Sequence, residues 1–132
     1  MPVACVDLVI TNGQRFLMVK RKNKPAKGKW CVPGGRVFKK ETLIQAVKRK
    51  VREETGLKKF KIIKFLAVKE FFSKESEFGP STHTINSVFV VQASSKEQLI
   101  PDGQSSEIRW FSKIDKNWIK YARGILKLAG FK

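Results

Sequence analysis

Four charged residues at helical spacing, Arg49, Lys50, Glu53 and Glu54, are the part of this chain whose side chains could do chemistry together. At roughly 100° per residue, Lys50, Glu53 and Glu54 share one helix face, with Arg49 and Ala46 beside it. Glu54 falls at the edge of an apolar stripe formed by Leu43, Ile44, Val47 and Val51. A carboxylate pressed against a core must find a partner, because an unpaired buried charge costs several kcal/mol. A divalent cation is one such partner, and a lysine or arginine is another. Arg49 lies one helical turn before Glu53, so its guanidinium can orient that carboxylate through a bidentate pair. Glu41, at the start of the helix, can in turn hold Arg49.

Caps and breakers define the elements that position these residues. Thr42 is placed to cap the helix N-terminus, and Gly56 sits where a left-handed C-terminal cap belongs. Gly34-Gly35 reads as a turn whose backbone a phosphate or metal can approach. Residues 3–10 form a strand candidate, followed by an Asn-Gly turn at 11–14 and a returning strand at 16–19. The basic stretch 20–29, with Pro25 and Gly28, reads as a loop into a short strand at 30–32. Residues 60–72 suggest one or two strands, 73–81 a loop, 83–93 a strand and 108–111 a short last strand. From Asp115 onward, Trp118, Ile119, Ala122, Ile125, Leu126 and Ala129 recur at helical spacing. This order predicts one α+β domain over residues 1–132, a mixed sheet between helices in an α-β-α sandwich.

At 132 residues the chain is long enough for a core without disulfides or metals. Lys and Arg number 28 against 11 Asp and Glu, a formal net charge of +17. Such a field draws polyanions non-specifically, whether nucleotide, RNA, DNA or acidic lipid. The basic residues are spread along the chain, so a lysine-rich or heat-adapted surface explains them as well as a nucleic-acid function does. Cys5 and Cys31 lie in candidate strands and read as small buried hydrophobes, and a lone histidine, His83, argues against a zinc site. No stretch approaches the roughly 20 apolar residues of a membrane span, and no secretory signal pattern opens the chain. The expected location is the cytoplasm, with no membrane partner.

The stretch from Gly35 through Glu41 to Arg49-Lys50-Val51-Arg52-Glu53-Glu54-Thr55-Gly56-Leu57 resembles the Nudix box. Every defining position matches except one, because the family usually has glutamate where this chain has Lys50. The resemblance implies the Nudix fold and a hydrolase that uses Mg²⁺ (or Mn²⁺) on a nucleotide substrate. It implies catalytic roles for Glu41, Arg49 and Glu53, with Glu53, Glu54 and the Gly35 carbonyl at the metal. An ammonium at position 50 cannot ligate Mg²⁺ while charged and would pair with Glu53 or Glu54 instead. That leaves a single-metal enzyme using other groups, or a Nudix fold that has lost hydrolysis.

Further segments are similar to the GDP-mannose mannosyl hydrolases: Arg21 through Pro33-Gly34-Gly35-Arg36-Val37, Glu41-Thr42-Leu43, Ser81-Thr82-His83, and Ile100-Pro101-Asp102-Gly103-Gln104 leading to Arg109-Trp110. That likeness implies a single divalent ion on Glu54, Gln104 and the Gly35 carbonyl. It also implies a catalytic Asp7 near the sugar, and Arg21 and Arg36 on the diphosphate. Ser105 stands where those enzymes have a histidine base, and Thr84 where they have a tyrosine. Read as structure alone, Asp7 is a half-exposed strand residue, His83 a structural one, and Trp30 and Phe72 core. The expected function is Mg²⁺-dependent cleavage of a nucleoside diphosphate linked to another moiety, a nucleotide sugar of the GDP-mannose type. The alternatives are a pyrophosphohydrolase for nucleoside triphosphates or RNA ends, and a catalytically weak module binding nucleotide or nucleic acid. A homodimer is a further expectation.

Overall fold

The computed structural model describes residues 1–22, 27–73, 82–94, 96–101, 103 and 105–132. Alternation along strand β1 (Val3–Asn12) divides the molecule into layers. Val6, Leu8 and Ile10 enter one hydrophobic cluster and Val9 enters the other. The first cluster is closed by helix α1 (Leu43–Thr55), through Ala46, Val47 and Val51. The second is closed by helix α2 (Lys120–Leu128), through Ala122, Ile125 and Leu126. A mixed sheet between two helices, the expected α-β-α sandwich, is the observed architecture. Each fully buried valine or leucine in these clusters contributes about 1.5–3 kcal/mol. No helix among the described residues is long and apolar enough to cross a membrane.

β1 is the strand on which the sheet is assembled. It runs parallel to β6 (Thr82–Ala93) from the Val3↔Thr84 pair to Thr11↔Gln92. On its other edge it pairs antiparallel with β4 (Gly34–Arg36) and, beyond that, with β2 (Arg15–Arg21). The Asn12↔Arg15 register leaves Gly13-Gln14 as the two-residue turn, one step later than Asn-Gly, with Gly13 supplying φ +61°. β2 also pairs with β3 (Trp30–Cys31) and β7 (Ser105–Phe111). β5 (Phe60–Ser73) is a single long strand on β6, irregular between Ile62 and Lys64 and between Phe65 and Ala67. β7 begins three residues earlier than expected, because its pairing extends from Phe16↔Phe111 back to Arg21↔Ser105.

Several expectations are corrected. Gly34-Gly35 is strand, not turn, with Gly34 opposite Asp7 and Gly35 opposite Val6. Only glycine fits at 34, since a Cβ there would overlap the Val6 carbonyl oxygen and lie 2.9 Å from Asp7 Oδ1. Leu43 and Ile44 share the angular face of Val47 and Val51, yet both are exposed, because the first turn of α1 is clear of the core. Phe72 is exposed rather than core and stacks on His83, ring centroids 4.2 Å apart. Asp7 is buried, not half-exposed.

Candidate active site

Helix α1 is fixed at both ends by local chemistry. The Thr42 hydroxyl accepts from the Gln45 N–H at 3.1 Å, and the Gln45 side chain accepts from the Thr42 N–H at 2.8 Å. At the other end Gly56 adopts φ +75° and donates to the Arg52 carbonyl at 3.0 Å. The helix therefore delivers Arg49, Lys50, Glu53 and Glu54 to the edge of β4 with little freedom.

Arg49 is the hub of this edge. Its Nε and Nη2 donate to the two Glu41 carboxylate oxygens at 2.7 and 3.0 Å. Nη1 reaches both Glu53 oxygens at 3.2 and 3.0 Å, and Nη2 also donates to the Arg36 carbonyl at 2.8 Å. The guanidinium lies 3.7 Å above the Phe38 ring. Glu41 in turn accepts from the Phe38 N–H at 2.9 Å. The Arg49 hydrogen bonds, with that of Phe38, lower the Glu41 carboxyl to about 2. Arg49 itself is pushed upward, chiefly by its bond to Glu41.

Glu54 is buried, 5% exposed, and accepts from the Gly34 N–H at 3.1 Å. Glu53 is more open and is aimed by Arg49. Between them lies the Lys50 ammonium, 3.5 Å from Glu53 Oε2 and 3.3 Å from Glu54 Oε1. It pairs with both carboxylates rather than choosing one.

The opposite end of the same cavity is built by the other layer. The Asp7 side chain points toward α2, where Tyr121 donates to its Oδ2 at 2.5 Å and Asn86 Nδ2 donates to the same oxygen at 3.0 Å. Burial raises the Asp7 carboxyl from an ordinary 3.8 to about 6, and the Tyr121 and Asn86 hydrogen bonds only partly offset it. Burial and the Asp7 charge push the Tyr121 phenol strongly upward. Burial likewise raises the thiols of Cys5 and Cys31, to about 11 and about 12, so both stay protonated and neither is poised as a nucleophile. Asn86 Oδ1 is buried and has no hydrogen-bond partner among the described residues.

One cavity of about 390 Å³ joins the two ends. It is lined by Glu53, Glu54, Lys50 and Arg49 at one end and by Asp7, Asn86, Tyr121 and Phe71 at the other, and Gly34, Gly35, Arg21 and Arg36 also belong to its lining. Of the residues singled out by sequence, Asp7, Arg21, Gly35, Arg36, Arg49, Glu53 and Glu54 thus share one pocket. Glu41 stands behind it, holding Arg49. Gln104 lies outside the described residues. His83 bonds Glu70 at 2.9 Å, as a structural histidine would.

Tyr121 and Asn86 were not among the sequence candidates, though each left a signal. Asn86 precedes Val88 by two residues and so shares the buried face of that strand. Tyr121 is the chain's only tyrosine, next to the core positions of an amphipathic helix.

A family profile of the NUDIX domain matches residues 1–123. The chain belongs to the Nudix family. It is 35% identical over 111 residues to the low-salt glycan biosynthesis protein Agl8 of Haloferax volcanii, covering 83% of this chain and 70% of that one. It is 38% identical over 90 residues to an ADP-ribose pyrophosphatase of Methanocaldococcus jannaschii, covering 68% of this chain but only 50% of the relative. Among solved structures, the MutT Nudix hydrolase of Burkholderia pseudomallei superposes with a TM-score of 0.79 over 97% of this chain and 98% of that one. At 23% identity that likeness speaks for the fold.

Nudix hydrolases generally use a divalent metal, and this Nudix hydrolase has donors of the right kind. Glu53 and Glu54 offer hard carboxylate oxygens beside Gly35, at a place that already holds a positive charge. No third carboxylate, histidine or cysteine joins them among the described residues. Two carboxylates suit an ion that keeps several waters and takes substrate phosphate oxygens, the habit of Mg²⁺.

Proposed function

We propose that this Nudix hydrolase cleaves a nucleoside diphosphate linked to a second moiety, a nucleotide sugar of the GDP-mannose kind, with Mg²⁺ or Mn²⁺. The observation that carries this reading is one cavity with two chemically different ends. The α1 end has paired carboxylates and a clamped guanidinium. The α2 end has a buried carboxylate, a phenol and an orphan amide oxygen.

On this reading Glu53 and Glu54 hold the divalent ion, with the Gly35 carbonyl and Gln104 as further ligands. Bound there, the ion neutralises charge developing on the leaving phosphate. Arg49 aims Glu53, and Glu41 fixes Arg49 so that this aim survives substrate binding. Arg21 and Arg36 also line this cavity, and their guanidinium forks suit a diphosphate. Asn86 Oδ1 accepts from a hydroxyl of the moiety beyond the diphosphate, and Asp7 lies beside it as a second acceptor. A sugar presents such donors in numbers. The names of two relatives, a glycan biosynthesis protein and an ADP-ribose pyrophosphatase, agree with a diphosphate joined to a sugar.

A second reading, hydrolysis of a modified nucleoside triphosphate, draws on 32% identity over 69 residues to an 8-oxo-dGTP diphosphatase of Buchnera aphidicola, 53% of that protein. Turnover in ¹⁸O-water separates the outcomes. Label in the released sugar means attack at carbon, and label in a phosphate of the products from a nucleotide sugar means attack at phosphorus. Either supports the proposal, whereas turnover of triphosphates alone would support the second reading.

A further inference from the structure

The positive charge between Glu53 and Glu54 is part of the polypeptide. Lys50 reaches it from within α1, its side chain only 13% exposed, and its terminal atoms crowd Gly35. A Cβ on Gly35 would come within 2.6 Å of Lys50 Cε and 2.9 Å of Nζ. The two ion-pair distances, 3.3 and 3.5 Å, are longer than a close charge-assisted hydrogen bond at about 2.7–2.9 Å. The ammonium is therefore shared between the two acids and locked to neither, on a flexible four-carbon stem.

We propose that Lys50 is a tethered counter-ion that holds this site against a divalent metal, and that a metal enters only by displacing it. This presupposes the metal role proposed for Glu53 and Glu54. A divalent ion binds carboxylate oxygen at about 2.0–2.6 Å, so an ammonium near the same oxygens would sit against a double positive charge. Both cannot occupy the space. Without metal the arrangement is sound, because Glu54 is buried and its charge is offset from inside the chain. A neutral side chain at 50 would leave two acids with no lysine between them, the condition under which a free cation is bound most tightly. Lys50 thus sets the metal concentration at which the enzyme becomes loaded.

Titration calorimetry with Mn²⁺ and no nucleotide tests this on the wild type, Lys50→Gln, Lys50→Arg and Lys50→Gln/Glu54→Gln. Lys50→Gln is expected to bind Mn²⁺ about tenfold tighter than wild type, or more. Lys50→Arg, which keeps the charge, is expected to stay weak, and Glu54→Gln to abolish the gain. Without metal, Lys50→Gln should melt below wild type and recover more on adding Mn²⁺. Should Lys50→Gln fold poorly, the wild type suffices: the ¹³Cε resonance of Lys50 should shift on adding diamagnetic Mg²⁺. Equal, Glu54-dependent Mn²⁺ affinity in wild type and Lys50→Gln, or an unmoved Lys50 resonance at saturating Mg²⁺, would overturn the displacement and leave the metal reading standing. Absence of Mn²⁺ binding in both proteins would overturn the two together.

Discussion

The Arg49 guanidinium and the Glu41 carboxylate meet as two forks, with Nε 2.7 Å from one oxygen and Nη2 3.0 Å from the other. This planar pair ties the segment before α1 to the middle of the helix. It also leaves Nη1 free to aim Glu53 at 3.0 Å. A lysine would keep the charge but has no fork to share among Glu41, Glu53 and the Arg36 carbonyl.

Arg49→Lys should therefore fold and lose activity. Misplacement of Glu53 predicts a fall in kcat of about 10–100-fold, with a smaller change in KM. Steady-state kinetics alongside circular dichroism checks this. Unchanged kcat would mean that the aim of Glu53 is irrelevant to turnover.

Asp7 makes a pH prediction whose direction is fixed by burial. Between about pH 4 and pH 6 the folded chain keeps a proton on Asp7 that the unfolded chain has released. Its contribution to stability therefore falls as pH rises through that window, by on the order of 3 kcal/mol at most. Asp7→Asn removes this dependence: the difference between variant and wild type should grow from pH 4 to pH 6 in the variant's favour, then level off. The Asn86 amide can turn to offer its orphan oxygen to the new amide. Urea unfolding across pH measures the difference, and a flat one would contradict the shift.

Tyr121→Phe removes one of the two donors that hold Asp7 Oδ2. Loss of a buried hydrogen bond to a charged group predicts a destabilisation of about 1.5–3 kcal/mol above pH 6 and less below it, where Asp7 is protonated. Chemical denaturation at pH 5 and pH 8 tests the contrast. Equal losses at both would place the effect in packing instead.

The two neighbouring glycines should respond differently. At Gly34 a methyl meets backbone, the Val6 carbonyl, so Gly34→Ala should cost about 1–3 kcal/mol or more and disturb the β1–β4 pairing. At Gly35 the same methyl meets only the far end of Lys50, which can swing aside. Gly35→Ala should be the milder change in thermal midpoint, and the reverse order would refute the contact geometry.

The α1 end of the site was legible because its information is local. Helical spacing, a capping residue and a terminal glycine place Glu53, Glu54, Lys50 and Arg49 within two turns of one element. That spacing predicts a Lys50 pair with one acid or the other, and the structure sets the ammonium between both. The α2 end was not legible in the same way. Asp7, Asn86 and Tyr121 converge only through the β1–β6 register and the docking of α2, with separations of 79 and 114 residues. The strand at Gly34 was hidden too, since a glycine pair reads locally as a turn. It is strand because it pairs with β1 opposite Asp7, and the nearby Val6 carbonyl is what requires glycine there. Leu43, Ile44 and Phe72 show the complementary limit: apolar periodicity names a face, and which part of it is covered depends on where neighbouring elements end.

The most direct test of the site is the rate of Mg²⁺- or Mn²⁺-dependent hydrolysis by wild type and Glu54→Gln. The substrates are GDP-mannose, ADP-ribose and 8-oxo-dGTP at matched concentration. The account predicts that one or both diphosphate sugars turn over fastest, and that Glu54→Gln loses this activity while remaining folded. Metal-independent turnover, turnover that survives Glu54→Gln, or hydrolysis confined to the triphosphate would contradict it.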